Sequence, residues 1–216
     1  SINRTHEILS SVFNIPLATG TIKNMVTRCA ESLKDTYERI RRKMIMLGLI
    51  HCDETGSRVD GKTCWVHVAS DQDYTYLTIN QKRGQIGMDA ADVLPHARGI
   101  IVHDCWGSYW KYQDVTHAIC CAHLLRELNG VIENHPEQIW AVRFKKLLLD
   151  MKKVRDKALL SEEDEVSYYH RHKFDMEYDA IIKTAYEENP LPETPAKKRG
   201  RKKKSKVLNL ICRLEN

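Results

Sequence analysis

Two apolar runs that end in acidic residues limit what this chain can fold into. "MLGLIHCDET" climbs from Met46 through Ile50 into His51, Cys52, Asp53 and Glu54, and roughly fifty residues later "RGIIVHDCW" runs through Ile100, Ile101 and Val102 into His103 and Asp104. Short aliphatic runs of this kind read as strands buried on both faces, the pattern of a sheet whose strands are joined by helical crossovers. If the two strands are parallel neighbours, Asp53 and Asp104 emerge side by side at the strand ends, where α/β sheets bind their ligands.

The surrounding pattern supplies the other elements. Residues from Arg4 to about Met46 have helical spacing, with Ile8, Leu9, Val12 and Phe13 on one stripe. "NIPLATGT" makes a turn there, so a helix-turn-helix with Thr21 to Ala30 as its reading helix stands beside the plainer helical hairpin. That second helix is expected to continue through Tyr37, Ile40 and Met44. After "GLIHCDE" come a loop "TGSRVDGK", with the turn pair Asp60-Gly61, and two further strands, "TCWVHVAS" and "YTYLTIN". A helix over "RGQIGMDAADVLPHA", the strand "GIIVHD", a short strand around "THAIC" and the helix "CAHLLRELNGVIE" complete an α/β unit with both sheet faces covered. The remainder is helical, with a capping box expected at Ser161 to Asp164 and a last helix over "KVLNLICRLEN". The expected organisation is a helical segment over 1–46, an α/β core over 47–135 and a helical insertion over 136–216.

Composition bounds the function. The longest apolar run, Met44 to Ile50, falls far short of the roughly 20 residues that cross a bilayer. The polar N-terminus has no signal-peptide core, so the expectation is a cytoplasmic protein with no membrane partner. Seven scattered cysteines, an odd number, suit reduced thiols rather than a disulfide framework. The formal charge of +5 is local: Lys197, Lys198, Arg199, Arg201, Lys202, Lys203, Lys204 and Lys206 carry eight positive charges, and taking these from +5 leaves −3 for the rest. Such a run after the proline-rich "NPLPETP" is either a solvated linker or a grip on a DNA backbone through counterion release.

Asp53 and Asp104 carry the chemistry. Convergent carboxylates are the hard oxygen ligands that Mg²⁺ or Mn²⁺ requires, and such ions drive phosphodiester cleavage; the plainer reading is that both residues merely end strands. Cys120-x-x-His123, with His117, Cys121, Cys105 and His103 nearby, is only half of a zinc motif, and a zinc site is not expected. Trp65, Trp106, Tyr109 and Trp110 read as core or sheet-covering residues. Trp106 and Tyr109, directly after Asp104, are the two placed to stack on a distorted DNA end.

"HCDETGSRVDGKTCWVHVASD", "GIIVHDCWGSYWKY" and "HAICCAHLLREL" together resemble the insertion-sequence-66 family of bacterial transposases. The resemblance extends from "FNIPLATGTIKNMV" to "LNLICRLEN", and its specificity lies in the order of Asp53 to Gly56, Trp65, Asp104, Cys120, His123 and Arg126. It implies a ribonuclease H-like mixed sheet with flanking helices, whose first and fourth strands are adjacent, and an Asp, Asp, Glu triad in which Asp53 and Asp104 are the first two metal-binding carboxylates. It further implies metal-dependent cleavage at transposon ends and strand transfer into target DNA, by a homo-oligomer in the active complex. His123 and Arg126 become candidate phosphate contacts or supports of the metal-binding residues. The family's glutamate stands in an Asn-Asn-x-x-Glu-Arg pattern that this sequence does not contain. Glu127, Glu187 and Glu188 qualify as substitutes only by being carboxylates. The expectation is therefore a fragment, inactive alone in strand transfer. Two other readings stay open: a zinc-stabilised DNA-binding module, and a regulatory protein derived from a transposase.

Overall fold

The computed structural model describes residues 1–191 and 204–215. The chain forms two compact units, Ser1–Ala118 and Ile119–Asn216.

The first unit opens with α1 (Ile2–Phe13), α2 (Thr19–Ser32) and α3 (Lys34–Met46). The Ser1 hydroxyl caps α1, and Asn14 closes it in the left-handed region at φ 52°. The expected continuous helix from Thr21 to Met44 is corrected at Leu33, which ends α2 and opens α3. The break re-aims the apolar stripe: Tyr37 packs its ring 4.6 Å from that of Tyr76, and Met44 is fully buried, whereas α2 buries only Ile22.

The five strands are β1 (Leu49–Val59), β2 (Lys62–Ser70), β3 (Thr75–Asn80), β4 (Ile100–His103) and β5 (Thr116–Ile119), in the order β3-β2-β1-β4-β5. β1, β2 and β3 form an antiparallel meander, and β4 lies parallel to β1. The first and fourth strands are thus adjacent, as a ribonuclease H-like sheet requires. Asp60 and Gly61, both at positive φ (48° and 75°), make the tight turn between β1 and β2. Most of the expected loop "TGSRVDGK" is strand: β1 runs on to Val59, pairing Gly56 with Trp65 and Val59 with Lys62. Asp53 therefore sits in mid-strand, not at a strand end. The expected helix before β4 is divided into α4 (Gln85–Ala90) and a single 3₁₀ turn at Leu94–His96, because Asp92 adopts φ 55°.

Alternation along β1 sends Ile50, Cys52 and Glu54 to one face and His51 and Asp53 to the other. The first face is packed with Met44, Ala69, Tyr76, Met88, Ile101 and Tyr109. Burying a large apolar side chain there stabilises the fold by roughly 1.5–3 kcal/mol. The sheet is not covered on both faces across its width, since Leu77 and Ile79 of β3 stay exposed.

The second unit is helical: α5 (Cys121–Asn134), α6 (Ile139–Leu160), α7 (Tyr168–Glu188) and α8 (Lys206–Glu215). Leu128, Trp140, Phe144, Ile181 and Ile211 form its centre. Ser161 to Asp164 is not a capping box. Ser161 ends α6, Glu162 turns at φ 55°, the Glu163 N–H returns to the Ala158 carbonyl at 3.0 Å, and Ser167 caps α7 instead. No helix among the described residues is long and apolar enough to cross a membrane.

Candidate metal centre

β1 and β4 pair Leu49 with Ile100, Ile50 with Ile101 and His51 with Val102. The same offset carried two residues further puts Asp53 level with Asp104. One ligand oxygen from each of Asp53, Glu54 and Asp104 lies within 4.8 Å of the others, the one grouping of three or more His, Cys, Asp or Glu side chains found among the described residues. Local bonds fix two of these carboxylates. The Glu54 N–H donates to Asp53 Oδ1 at 2.9 Å, and the Trp106 N–H donates to Asp104 Oδ1 at 2.9 Å across a sharp bend where Cys105 takes φ 68°.

Glu54 is the unusual member. It is 8% exposed, and neither carboxyl oxygen has a partner within normal hydrogen-bond geometry. Burial pushes its carboxyl up to about 7; the Asp104 charge and, more weakly, Asp53 add to this, while Arg83 and the Tyr109 hydroxyl pull the other way. Burying a carboxylate beside two others is costly unless a cation offsets the charge. Three hard oxygen donors, one of them buried with unspent lone pairs, fit a divalent ion of the Mg²⁺ or Mn²⁺ type and offer nothing to a thiolate-seeking metal.

Beside this cluster lies a histidine relay. The Cys105 N–H donates to His103 Nδ1 at 3.1 Å, so His103 carries its proton on Nε2 and donates to His117 Nδ1 at 3.0 Å. His117 Nε2–H donates in turn to the Tyr112 carbonyl at 3.0 Å. His103 has no exposed surface, and burial, with the neighbouring His117, holds its imidazole down at about 4 despite Asp104. A histidine depressed by folding binds its proton more readily in the unfolded chain, so its contribution is complete above pH 6.5 and is lost as pH falls from 6.5 towards 4. The loss is about 3 kcal/mol at its limit. In wild type the opposite titration of Glu54 offsets this loss, so urea titrations at pH 7 and 4.5 are expected to show His103→Gln gaining stability relative to wild type as the pH falls. An equal change in both proteins would dismiss His103 as the source.

The other expected residues fall as follows. Tyr109 is not free to stack on DNA: it is 1% exposed, in the core, with its ring 4.5 Å from that of His103. Trp106 is half-buried and carries the Arg83 guanidinium 4.0 Å from its ring centroid; the same guanidinium lies 4.8 Å from the Trp65 centroid. In α5, His123 is half-buried and Arg126 exposed. Glu127 is paired with Arg213, and Glu187 and Glu188 end α7. Cys120 and His123 gather no third ligand among the described residues. Lys197, Lys198, Arg199, Arg201, Lys202 and Lys203 lie outside the described residues; Lys204 and Lys206 stand just before and at the start of α8. Sequence reasoning passed over Glu54 and Arg83. The signal for Glu54 was available, since strict alternation from Ile50 and Cys52 sends an acidic residue to the buried face.

The fold and this cluster define a ribonuclease H-like α/β protein with an acidic, cation-ready site across its central parallel strand pair. The chain matches the Transposase IS66 family over residues 1–216 and belongs to it. No curated protein matches it. A solved structure of the HTLV-2 integrase catalytic core domain in complex with magnesium, in a dimeric form, is similar at 14% identity, with 41% of this chain and 74% of that one covered and a TM-score of 0.29.

Proposed function

We propose that the chain carries metal-binding residues for the DNA chemistry of a DDE-type transposase, hydrolysis of a phosphodiester at a transposon end to free a 3′-hydroxyl and then attack of that hydroxyl on target DNA, without completing strand transfer alone. The observation that carries this reading is the convergence of Asp53, Glu54 and Asp104 within 4.8 Å, with the Glu54 oxygens buried and unpartnered. Asp53 and Asp104 would hold Mg²⁺ or Mn²⁺, with Glu54 as the third oxygen donor. When bound, the ion supplies Lewis-acid stabilisation of the charge that develops on the phosphodiester oxygens.

The chain's own residues do the positioning. The β1–β4 pairing sets Asp53 and Asp104 level, and the Trp106 N–H holds Asp104 in one orientation. Glu54, raised to about 7, gives up its proton near neutrality when positive charge arrives. In this reading residues 1–46 are a helical segment facing DNA, 47–135 the catalytic core, and 136–216 an insertion whose basic run from Lys197 to Lys206 grips the backbone. The partners are transposon-end and target DNA and further copies of the chain, in the cytoplasm.

Mn²⁺ titration followed by electron paramagnetic resonance tests the site. Wild type is expected to bind Mn²⁺, and Asp53→Asn and Asp104→Asn each to weaken binding by at least tenfold, about 1.4 kcal/mol. Equal Mn²⁺ binding by all three proteins would overturn the assignment.

A further inference from the structure

Arg83 has a position that neither the carboxylate cluster nor the fold accounts for. It lies in the short segment between β3 and α4, and that segment is pinned from both sides: the Lys82 N–H donates to Asn80 Oδ1 at 2.8 Å, and His67 Nε2 bonds the Lys82 carbonyl at 3.2 Å. The guanidinium rests on Trp106 and Trp65, at 4.0 and 4.8 Å from the two ring centroids. It is close enough to Glu54 for its charge to act on that carboxyl, yet it forms no ion pair with any carboxylate among the described residues. Its Nε is buried and without a hydrogen-bond partner.

An arginine whose charge reaches a buried carboxyl would ordinarily pair with it, because a bidentate carboxylate pair is among the strongest side-chain contacts. Here two indole faces hold the planar group, as guanidinium favours, and its buried Nε–H has no partner among the described residues. The guanidinium fork matches the paired oxygens of a phosphate. Trp106 joins this cation to the acidic cluster directly, since its ring bears Arg83 while its N–H fixes Asp104.

Building on the proposed reading of the carboxylates as a metal centre, we infer that Arg83 is a phosphate-binding residue. It receives the non-bridging oxygens of the DNA phosphodiester presented to Asp53, Glu54 and Asp104, and the two tryptophans keep it from neutralising the carboxylates.

The test uses the full chain and a labelled 20-base-pair DNA duplex, with binding measured by fluorescence anisotropy with Mn²⁺ and with EDTA, across a salt series. Wild type is expected to bind DNA more tightly with Mn²⁺. Arg83→Gln should lose about tenfold of that affinity, with a salt slope lower by about one. Arg83→Lys should fall between the two, keeping the charge without the planar fork. Mn²⁺ binding without DNA should be no weaker in either variant, a readout that also establishes that each is folded. Three results overturn the inference: an unchanged Mn²⁺-dependent increment in Arg83→Gln, an equal loss with and without Mn²⁺, or full retention in Arg83→Lys. The first two leave the metal centre standing when wild type binds Mn²⁺. Failure of wild type to bind Mn²⁺ would instead remove the metal reading and this inference with it.

Discussion

Gly99→Ala is expected to destabilise the chain by about 3 kcal/mol or more and to weaken Mn²⁺ binding with it. A β-carbon on Gly99 would stand 2.4 Å from the Gly48 carbonyl oxygen, 2.7 Å from its carbon and 2.9 Å from its Cα. All three are backbone atoms, so no side chain can swing aside. The contact also cannot open freely, because the Ile100 N–H donates to the same Gly48 oxygen at 2.8 Å and the Thr116 N–H donates to the Gly99 carbonyl at 3.0 Å. Gly99 is thus wedged where β1, β4 and β5 begin. Only three residue pairs register β1 against β4, and that register sets Asp53 level with Asp104. A shift at its first pair moves one carboxylate relative to the other. Gly48→Ala is the control: its β-carbon would meet nothing within 4 Å, and a cost below about 1 kcal/mol is expected. Urea unfolding of both variants decides the matter, and equal midpoints would show that the close approach relaxes without penalty.

What was legible in the sequence was whatever depended on period and local chemistry. The aliphatic runs before Asp53 and Asp104, the Asp60-Gly61 turn and the helical stripes of the second unit are one-dimensional signals, and the elements formed where those signals stood. The helical crossover gave the Asp104 strand its parallel direction, while its adjacency to the Asp53 strand was what the family resemblance implied. What was hidden depended on partners distant in sequence. Gly56 reads as a loop residue until Trp65 is known to lie opposite it. Tyr109 looks like a substrate-facing aromatic until His103 and the sheet enclose it. Arg83, in the polar stretch "QKRG", has no local mark at all; its role comes from tryptophans on β2 and after β4. Ser161 to Asp164 shows the converse, a good local signal overridden by the closure of the preceding helix.

Glu54→Gln is expected to separate stability from metal binding, because the same buried carboxyl opposes one and serves the other. The folded carboxyl titrates at about 7 against 4.5 unperturbed. A raised carboxyl leaves stability intact below pH 4.5, and stability is then lost as pH rises through 7, by about 3 kcal/mol at the limit in the metal-free protein. Glutamine keeps the shape without the charge, so the metal-free variant should be more stable than wild type at pH 8 and similar to it at pH 4.5. With Mn²⁺ the order reverses: wild type should bind increasingly well as pH rises from 6 to 8 and a proton leaves Glu54, whereas Glu54→Gln should bind at least tenfold more weakly at pH 8 with a shallower pH slope. His103 works in the opposite sense between pH 4 and 6.5, so wild-type stability is nearly flat over the range the two share. Removing Glu54 therefore uncovers the acid loss that His103 imposes. Urea titrations at pH 4.5, 6 and 8, with and without Mn²⁺, separate the alternatives. A variant no more stable at pH 8 would mean that the buried carboxyl is already compensated within the protein. A variant that binds Mn²⁺ as well as wild type would leave Asp53 and Asp104 to hold the ion alone.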